Sequence, residues 1–187
     1  EGLSAAVINV FFSLYENNLI YKGTRMVNWD TKLKSAVSDL EVTSSNELGK
    51  LWTIKYKTGD TFIEIATTRP ETLLGDTAVA VNPFDERYKE LIGQKVTIPI
   101  VNRDVEIIAD EYVDIDFGSG CVKITPAHDF NDYEIGKRHN LDLITCLDFD
   151  GNIEKKDFIP AELRGLDRFK ARERIVEMLE ESGILVS

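Results

Sequence analysis

The chain reads as an α+β domain: a closed or nearly closed β-barrel-like sheet with helices at its periphery. Three observations predict this. Short runs rich in β-branched and aromatic residues recur between turn signals from residue 51 onward. Helical spacing appears in only a few segments, so strands dominate the core. The 187 residues, 43% of them hydrophobic, suffice for one medium core, and no apolar run approaches the length of a membrane span.

The elements follow in order. Val7, Phe11, Leu14 and Tyr15 recur at helical spacing, predicting a helix from Leu3 to Tyr21 that frays at Asn17-Asn18. Residues 22–42 read as a connecting arm with a short extended run through Met26, Val27 and Trp29. Leu51–Lys57 and Thr61–Thr68 predict a hairpin around Thr58-Gly59-Asp60. In its second strand Ile63, Ile65 and Thr67 share a face, and Pro70 ends the ladder. Asp76–Val81 predicts a strand, Phe84–Ile92 a short helix, and Lys95–Val101 and Val105–Ala109 two further strands. Cys121–Thr125 is a strand that breaks at Pro126 into a helix over Asp129–Asn140. Leu143–Asp148 predicts a strand, Asp150-Gly151-Asn152 a turn, and Arg168–Ser182 an amphipathic helix closed by Gly183.

Composition narrows the function. A net charge of -11 argues against a nucleic-acid grip made by this segment alone, since phosphate contacts need a basic footprint. Two cysteines, Cys121 and Cys146, are too few for a disulfide framework and lack metal-ligand spacing, so they read as buried thiols of a reducing, cytoplasmic setting. The start at Glu1 inside a helical pattern, without a leader-like run, reads as a piece of a longer protein.

The stretch Gly118–Glu134 is the most informative. It packs a Gly turn, a strand, a Pro break and an acidic helix start into one run. Asp129 and Asp132 stand three apart, on one face of the helix's first turn. They serve as helix caps, as a carboxylate pair for an ammonium group, or as both, because a capping carboxylate keeps free lone pairs. Lys123 and Thr125 alternate with Val122 and Ile124 and so share a strand face just before this pair. His128 with Asp129 and Asp132 suggests metal ligands, but no third His or Cys stands at useful spacing, and a structural hydrogen-bonding role is the simpler reading. The second cluster, Thr67-Thr68-Arg69-Pro70-Glu71-Thr72, puts hydroxyls at a strand end, where they form turn chemistry or line a pocket. There is no Gly-x-Ser-x-Gly elbow and no phosphate-cradling Gly-rich loop, so an enzyme of this kind would position water against an already reactive bond.

These segments resemble a known family. Thr67–Thr72 with Leu74–Val81, and the run from Gly118 to Leu141, resemble the two motifs of the editing domains inserted in the valyl-, isoleucyl- and leucyl-tRNA synthetases. Lys123–Asp129, Asp132–His139, Val27-Asn28-Trp29-Asp30, Ser38–Glu41 and Gly165–Phe169 look like the valyl form. No His-Ile-Gly-His or Lys-Met-Ser-Lys-Ser signature of the aminoacylation domain is present. The resemblance implies a division into a helix and arm from the parent enzyme over 1–45, an editing core over 46–150 and a C-terminal part over 151–187. It implies hydrolysis of mischarged Thr-tRNA(Val), with threonyl-adenylate as an alternative substrate, and no aminoacylation and no cofactor. The partners would be the tRNA(Val) 3' end, reached through the parent enzyme, and that enzyme's catalytic domain, with no membrane. By the same resemblance Asp132 holds the α-ammonium, and Asp129 and Lys123 contact the threonyl group or the terminal adenosine. Thr72 shapes the amino-acid pocket, and Thr67, Thr68, Arg69, Thr125 and His128 line it. A non-catalytic tRNA-end or protein-docking module is the alternative, favoured by the acidic charge; a metal-dependent hydrolase on His128, Asp129 and Asp132, or a free-standing deacylase, are further readings.

Overall fold

The computed structural model describes residues 2–46 and 48–187. Helix α1 spans Gly2–Glu16, and β1 (Asn28–Asp30) and β2 (Ser35–Val37) form a small hairpin of their own. The main sheet is built from β3 (Trp52–Thr58), β4 (Thr61–Thr67), β5 (Ala78–Val81), β6 (Lys95–Ile98), β7 (Arg103–Ala109) and β8 (Cys121–Ile124). Helices α2 (Phe130–His139) and α3 (Arg168–Glu181) follow. The sheet order is β4-β3-β6-β7-β5-β8, antiparallel throughout except for the parallel pair β5–β7. Its two edge strands, β4 and β8, pack against each other and nearly close the barrel.

The alternation that predicts the hairpin also fixes its faces. Ile54 and Tyr56 on β3 and Ile63 and Ile65 on β4 point inward and are fully or almost fully buried. β5, Ala-Val-Ala-Val, is buried on both faces, as expected of a central strand flanked by β7 and β8. The core continues into Ile153, Ile159 and Leu163 and the inward face of α3, Ala171, Ile175 and Leu179, so the C-terminal helix belongs to the same hydrophobic cluster. By contrast α1 buries none of its residues, and Val7, Phe11, Phe12 and Tyr15 are exposed.

Several expectations change. α1 stops at Glu16 rather than Tyr21, because Asn18 turns left-handed at φ 56°. The arm carries the β1–β2 hairpin, which the mixed text of residues 22–42 hides. Residues 84–92 form turns and one short 3-10 segment (Lys89–Leu91) instead of a helix. Asn82 and Asp85 side chains capture the Phe84 and Arg87 N–H groups and compete with helical bonding. Leu143–Asp148 is not a strand. Its Cys146 N–H is taken by the His128 ring, and only an isolated bridge, Leu147 to Ile153, remains. The turn between β6 and β7 falls earlier than Asn102–Asp104, with Ile100 and Asn102 at positive φ and β7 starting at Arg103.

Candidate functional site

β8 and α2 build one wall of a cleft of about 350 Å³, and the end of β4 with the 3-10 turn Pro70–Gly75 builds the other. The nine residues singled out from the sequence, Thr67, Thr68, Arg69, Thr72, Lys123, Thr125, His128, Asp129 and Asp132, all line it. Leu51, Ala66, Tyr112, Phe117, Val122 and Asn131 complete the lining. α2 lies tight against the Pro break that precedes it: a Cβ on Gly136 would come within 2.8 Å of the Pro126 ring, so only glycine allows this approach. That packing delivers the helix N-terminus to the cleft.

Of the two acidic residues Asp129 caps the helix, whereas Asp132 turns back to the strand. Asp129 is the N-cap, its Oδ1 accepting the Asn131 and Asp132 N–H groups at 2.8 and 3.2 Å. Asp132 Oδ2 accepts the Thr125 N–H at 2.8 Å, tying helix to strand. Among the described residues Oδ1 of Asp132 and Oδ2 of Asp129 accept nothing from the protein. Burial pushes the Asp132 carboxyl up to about 6, against the Thr125 N–H and the Lys123 charge that favour ionisation.

Beneath them lies a buried polar network. Lys123, on the strand face it shares with Thr125, is 7% exposed and bonds Thr72 Oγ1 at 2.8 Å, Asp76 Oδ1 at 2.9 Å and Thr125 Oγ1. Asp76 is fully buried and also accepts from Thr125 Oγ1 at 2.6 Å and Tyr56 Oη at 2.7 Å. Burial raises its pKa, opposed by the Lys123 charge and by the bonds from Thr125, Lys123 and Tyr56. Arg103 binds the carbonyls of Leu74 and Asp76 at 3.0 and 2.6 Å, fixing the exit of the turn. At its entry Glu71 is fully buried and receives both arms of Arg172 from α3 at 2.8 and 2.7 Å.

His128 is held otherwise than a metal ligand would be. Its Nε2 accepts the Cys146 N–H at 2.9 Å, while burial and then the Arg69 and Lys123 charges push its pKa down to about 4. The ring is therefore neutral at pH 7 with its proton on Nδ1. Among the described residues no three His, Cys, Asp or Glu side chains are placed to share a metal ion. Arg69 reaches past this residue to bond its carbonyl at 2.9 Å. Thr67 Oγ1 accepts the Arg69 N–H at 3.1 Å, whereas the exposed Thr68 hydroxyl has no partner among the described residues. A second hollow of about 520 Å³ lies over Asp110, Glu111, Tyr112, Arg138 and His139, and there the buried Asp110 carboxylate is saturated by protein donors.

Sequence reasoning missed Asp76, Tyr56, Glu71 and Arg172. The one local hint was a charged residue, Asp76, two positions before the wholly apolar β5, a place that burial makes untenable without partners.

Comparisons with known proteins show the family and the fold. Residues 1–155 match the family described as tRNA synthetases class I (I, L, M and V). The chain is 59% identical over 187 residues to the valine--tRNA ligase of Legionella pneumophila (strain Lens), covering 99% of this chain and 20% of that protein. It is 52% identical over 188 residues to the valine--tRNA ligase of Staphylococcus carnosus (strain TM300), covering 100% of this chain and 21% of that protein. The chain thus spans about a fifth of the length of the curated relatives it matches. Among solved structures, the crystal structure of GlLeuRS-CP1 superposes with a TM-score of 0.55 at 11% identity, over 74% of this chain and 98% of that one. The ternary complex of Agrobacterium radiobacter K84 agnB2 LeuRS-tRNA-LeuAMS gives a TM-score of 0.58 at 22% identity, over 72% of this chain and 19% of that one. These two likenesses identify the fold, the barrel with peripheral helices expected from the sequence.

Proposed function

Since the chain belongs to the class I tRNA synthetases of the I, L, M and V group, we propose that it is the editing domain of a valine--tRNA ligase and hydrolyses threonine from mischarged tRNA(Val). The observation that supports this most directly is the convergence of two half-vacant carboxylates and a set of threonine hydroxyls in one cleft. A hydrophobic pocket cannot strongly reject an isostere that adds a hydroxyl, the established difficulty with valine and threonine. A polar second site reverses the test: threonine satisfies buried groups that valine would leave unpaired, at a cost of about 1–3 kcal/mol for each.

In this reading the free oxygen of Asp132 takes the α-ammonium of the misattached residue. Asp129 and Thr68, at the cleft mouth, face the terminal adenosine. Lys123 contributes by position, because its three protons are committed to Thr72, Asp76 and Thr125. His128 acts as a fixed neutral Nδ1–H donor and not as a base, its other nitrogen being occupied. A bound water attacks the ester carbonyl. Its oxygen bonds to the carbon, the bond to the ribose oxygen breaks, and that oxygen leaves with a proton. An aminoacyl ester is already activated, so placement and electrostatics carry the step.

The division into arm (1–45), core (46–150) and C-terminal part (151–187) fits this role, with the arm and the exposed α1 facing the ligase's catalytic domain. The same body supplies the basic surface for tRNA that a segment of charge -11 lacks. The test is deacylation of Thr-tRNA(Val) by the full-length ligase carrying Asp132→Ala. Loss of hydrolysis with aminoacylation intact is expected; retained hydrolysis removes the proposal.

A further inference from the structure

Of the three buried threonines that line the cleft, Thr72 and Thr125 have hydroxyls with fixed roles. Thr72 Oγ1 meets Lys123 Nζ at 2.8 Å and the Arg69 carbonyl at 2.9 Å. Thr125 Oγ1 meets the same ammonium and, at 2.6 Å, Asp76 Oδ1. An ammonium only donates, and a carbonyl or carboxylate only accepts. Each hydroxyl therefore accepts from Lys123 and gives its single proton away from the cleft, to Arg69 O or to Asp76. What remains for a ligand is one acceptor lone pair on each and no proton. Lys123, with its third proton on Asp76, has none left to offer either.

Asp132 extends the pattern. Its carboxylate is bound to the backbone N–H of Thr125, the residue whose hydroxyl is one of these acceptors, and its other oxygen is vacant. An ammonium acceptor and a hydroxyl acceptor thus stand side by side, matching a ligand whose amine and hydroxyl sit on neighbouring carbons. Donors such as Arg69, Asn131 and Thr67, whose oxygen accepts from Arg69 N–H and keeps its proton, also line the cleft, but none of them donates into the Lys123–Thr72–Thr125 cluster that forms its floor.

We propose that Asp76 is a specificity-determining positioning residue: braced by Tyr56 and paired with Lys123, it makes the cleft floor acceptor-only, so that the site admits side chains whose β-substituent donates a hydrogen bond. This rests on the editing reading and deepens it. The floor reads the proton of the hydroxyl rather than its size or polarity, and a group of similar size that only accepts is refused as firmly as a methyl group.

The experiment uses the full-length ligase and tRNA(Val) carrying threonine, its β-fluoro analogue (fluorine in place of the hydroxyl), valine, or a deaminated β-hydroxy acid. Each enzymatic rate is divided by that ester's spontaneous hydrolysis. The wild type is expected to favour threonyl over β-fluoro ester in kcat/KM by on the order of 100-fold, with the fluoro and valyl esters alike. In the double variant Asp76→Leu/Lys123→Met, which leaves neither charge of the pair unpaired, Thr125 regains a free proton. The threonyl-to-fluoro ratio should then fall to about tenfold or less, while the preference for an ester bearing the amine, read by Asp132, persists. If that double variant is unfolded, the wild-type ratio alone decides. A fluoro ester cleaved within about threefold of the threonyl ester overturns the inference and leaves the editing reading standing, as does an unchanged ratio in a folded double variant. Absence of threonyl-ester hydrolysis by the wild type overturns both.

Discussion

Each end of α2 meets a buried carboxylate, and the two differ in almost every respect but burial. Asp110, at the C-terminal end, is 7% exposed, and Asp132, in the first turn, is 8% exposed. Asp110 accepts the Tyr112 N–H at 2.9 Å, two arms of Arg138 and the His139 ring at 2.9 Å, filling both oxygens. Burial tends to raise it, but these donors win and hold its pKa below the ordinary carboxylate range. Asp132 has one backbone donor and an empty oxygen, so burial wins and the pKa rises to about 6. Burial alone therefore does not mark a site. A buried carboxylate with an unspent acceptor does, because only there can a ligand supply what the protein withholds.

The comparison breaks first if activity and stability do not separate. Asp132→Asn keeps the acceptor for Thr125 N–H and removes the negative charge. Thr-tRNA(Val) hydrolysis should fall on the order of 100-fold or more, since a charge-assisted bond to the substrate is lost. Denaturant unfolding at pH 7 should show no loss of stability, because ionising Asp132 in its buried position is unfavourable. Asp110→Ala should do the reverse. It leaves Arg138 and the Tyr112 N–H without their acceptor, and about 2 kcal/mol of unfolding free energy should go, while the threonyl-to-valyl hydrolysis ratio holds. A variant pair in which both changes cost stability equally would dissolve the distinction.

How much of this was legible in the sequence follows from distance along the chain. The cleft's acidic corner, Lys123 through Asp132, lies within ten residues, so alternation on β8 and capping logic on α2 suffice to assemble it. The threonine cluster lies within six residues at the end of a strand whose faces the hydrophobic pattern already sets. What brings the two together is invisible locally: Asp76 meets Lys123 across 47 positions and Glu71 meets Arg172 across 101. The parallel pairing of β5 with β7 has no period of its own to announce it. The failed strand at Leu143–Asp148 shows the converse. Its apolar text is real, but the segment packs under the Pro70–Gly75 turn, where a Cβ on Gly75 would stand 2.6 Å from the Ile144 carbonyl. A side chain, His128, takes the hydrogen bond that a neighbouring strand would have claimed.

The smallest expected effect is the most discriminating, because it turns on sign. Asp132 has a raised folded pKa, so its contribution favours the folded state below about 4 and is lost as pH rises through about 6. His128 has a folded pKa lowered to about 4, so its contribution is full above about 6.5 and is lost as pH falls through that value to about 4. In the window from about pH 4 to 6 these two slopes oppose each other, and the wild type should vary by only about 1 kcal/mol from this pair. Asp132→Asn removes one slope and leaves the other, so the variant's stability should climb with pH across the same window. Deacylation by the wild type, in contrast, should drop about tenfold per pH unit below 6 as Asp132 protonates and loses the ammonium. Equilibrium unfolding of wild type and variant at pH 4, 5 and 6 tests the sign, with a parallel kcat/KM profile for the full-length ligase. Two parallel stability curves would mean that Asp132 titrates like Asp110, and that its vacant oxygen is satisfied in solution.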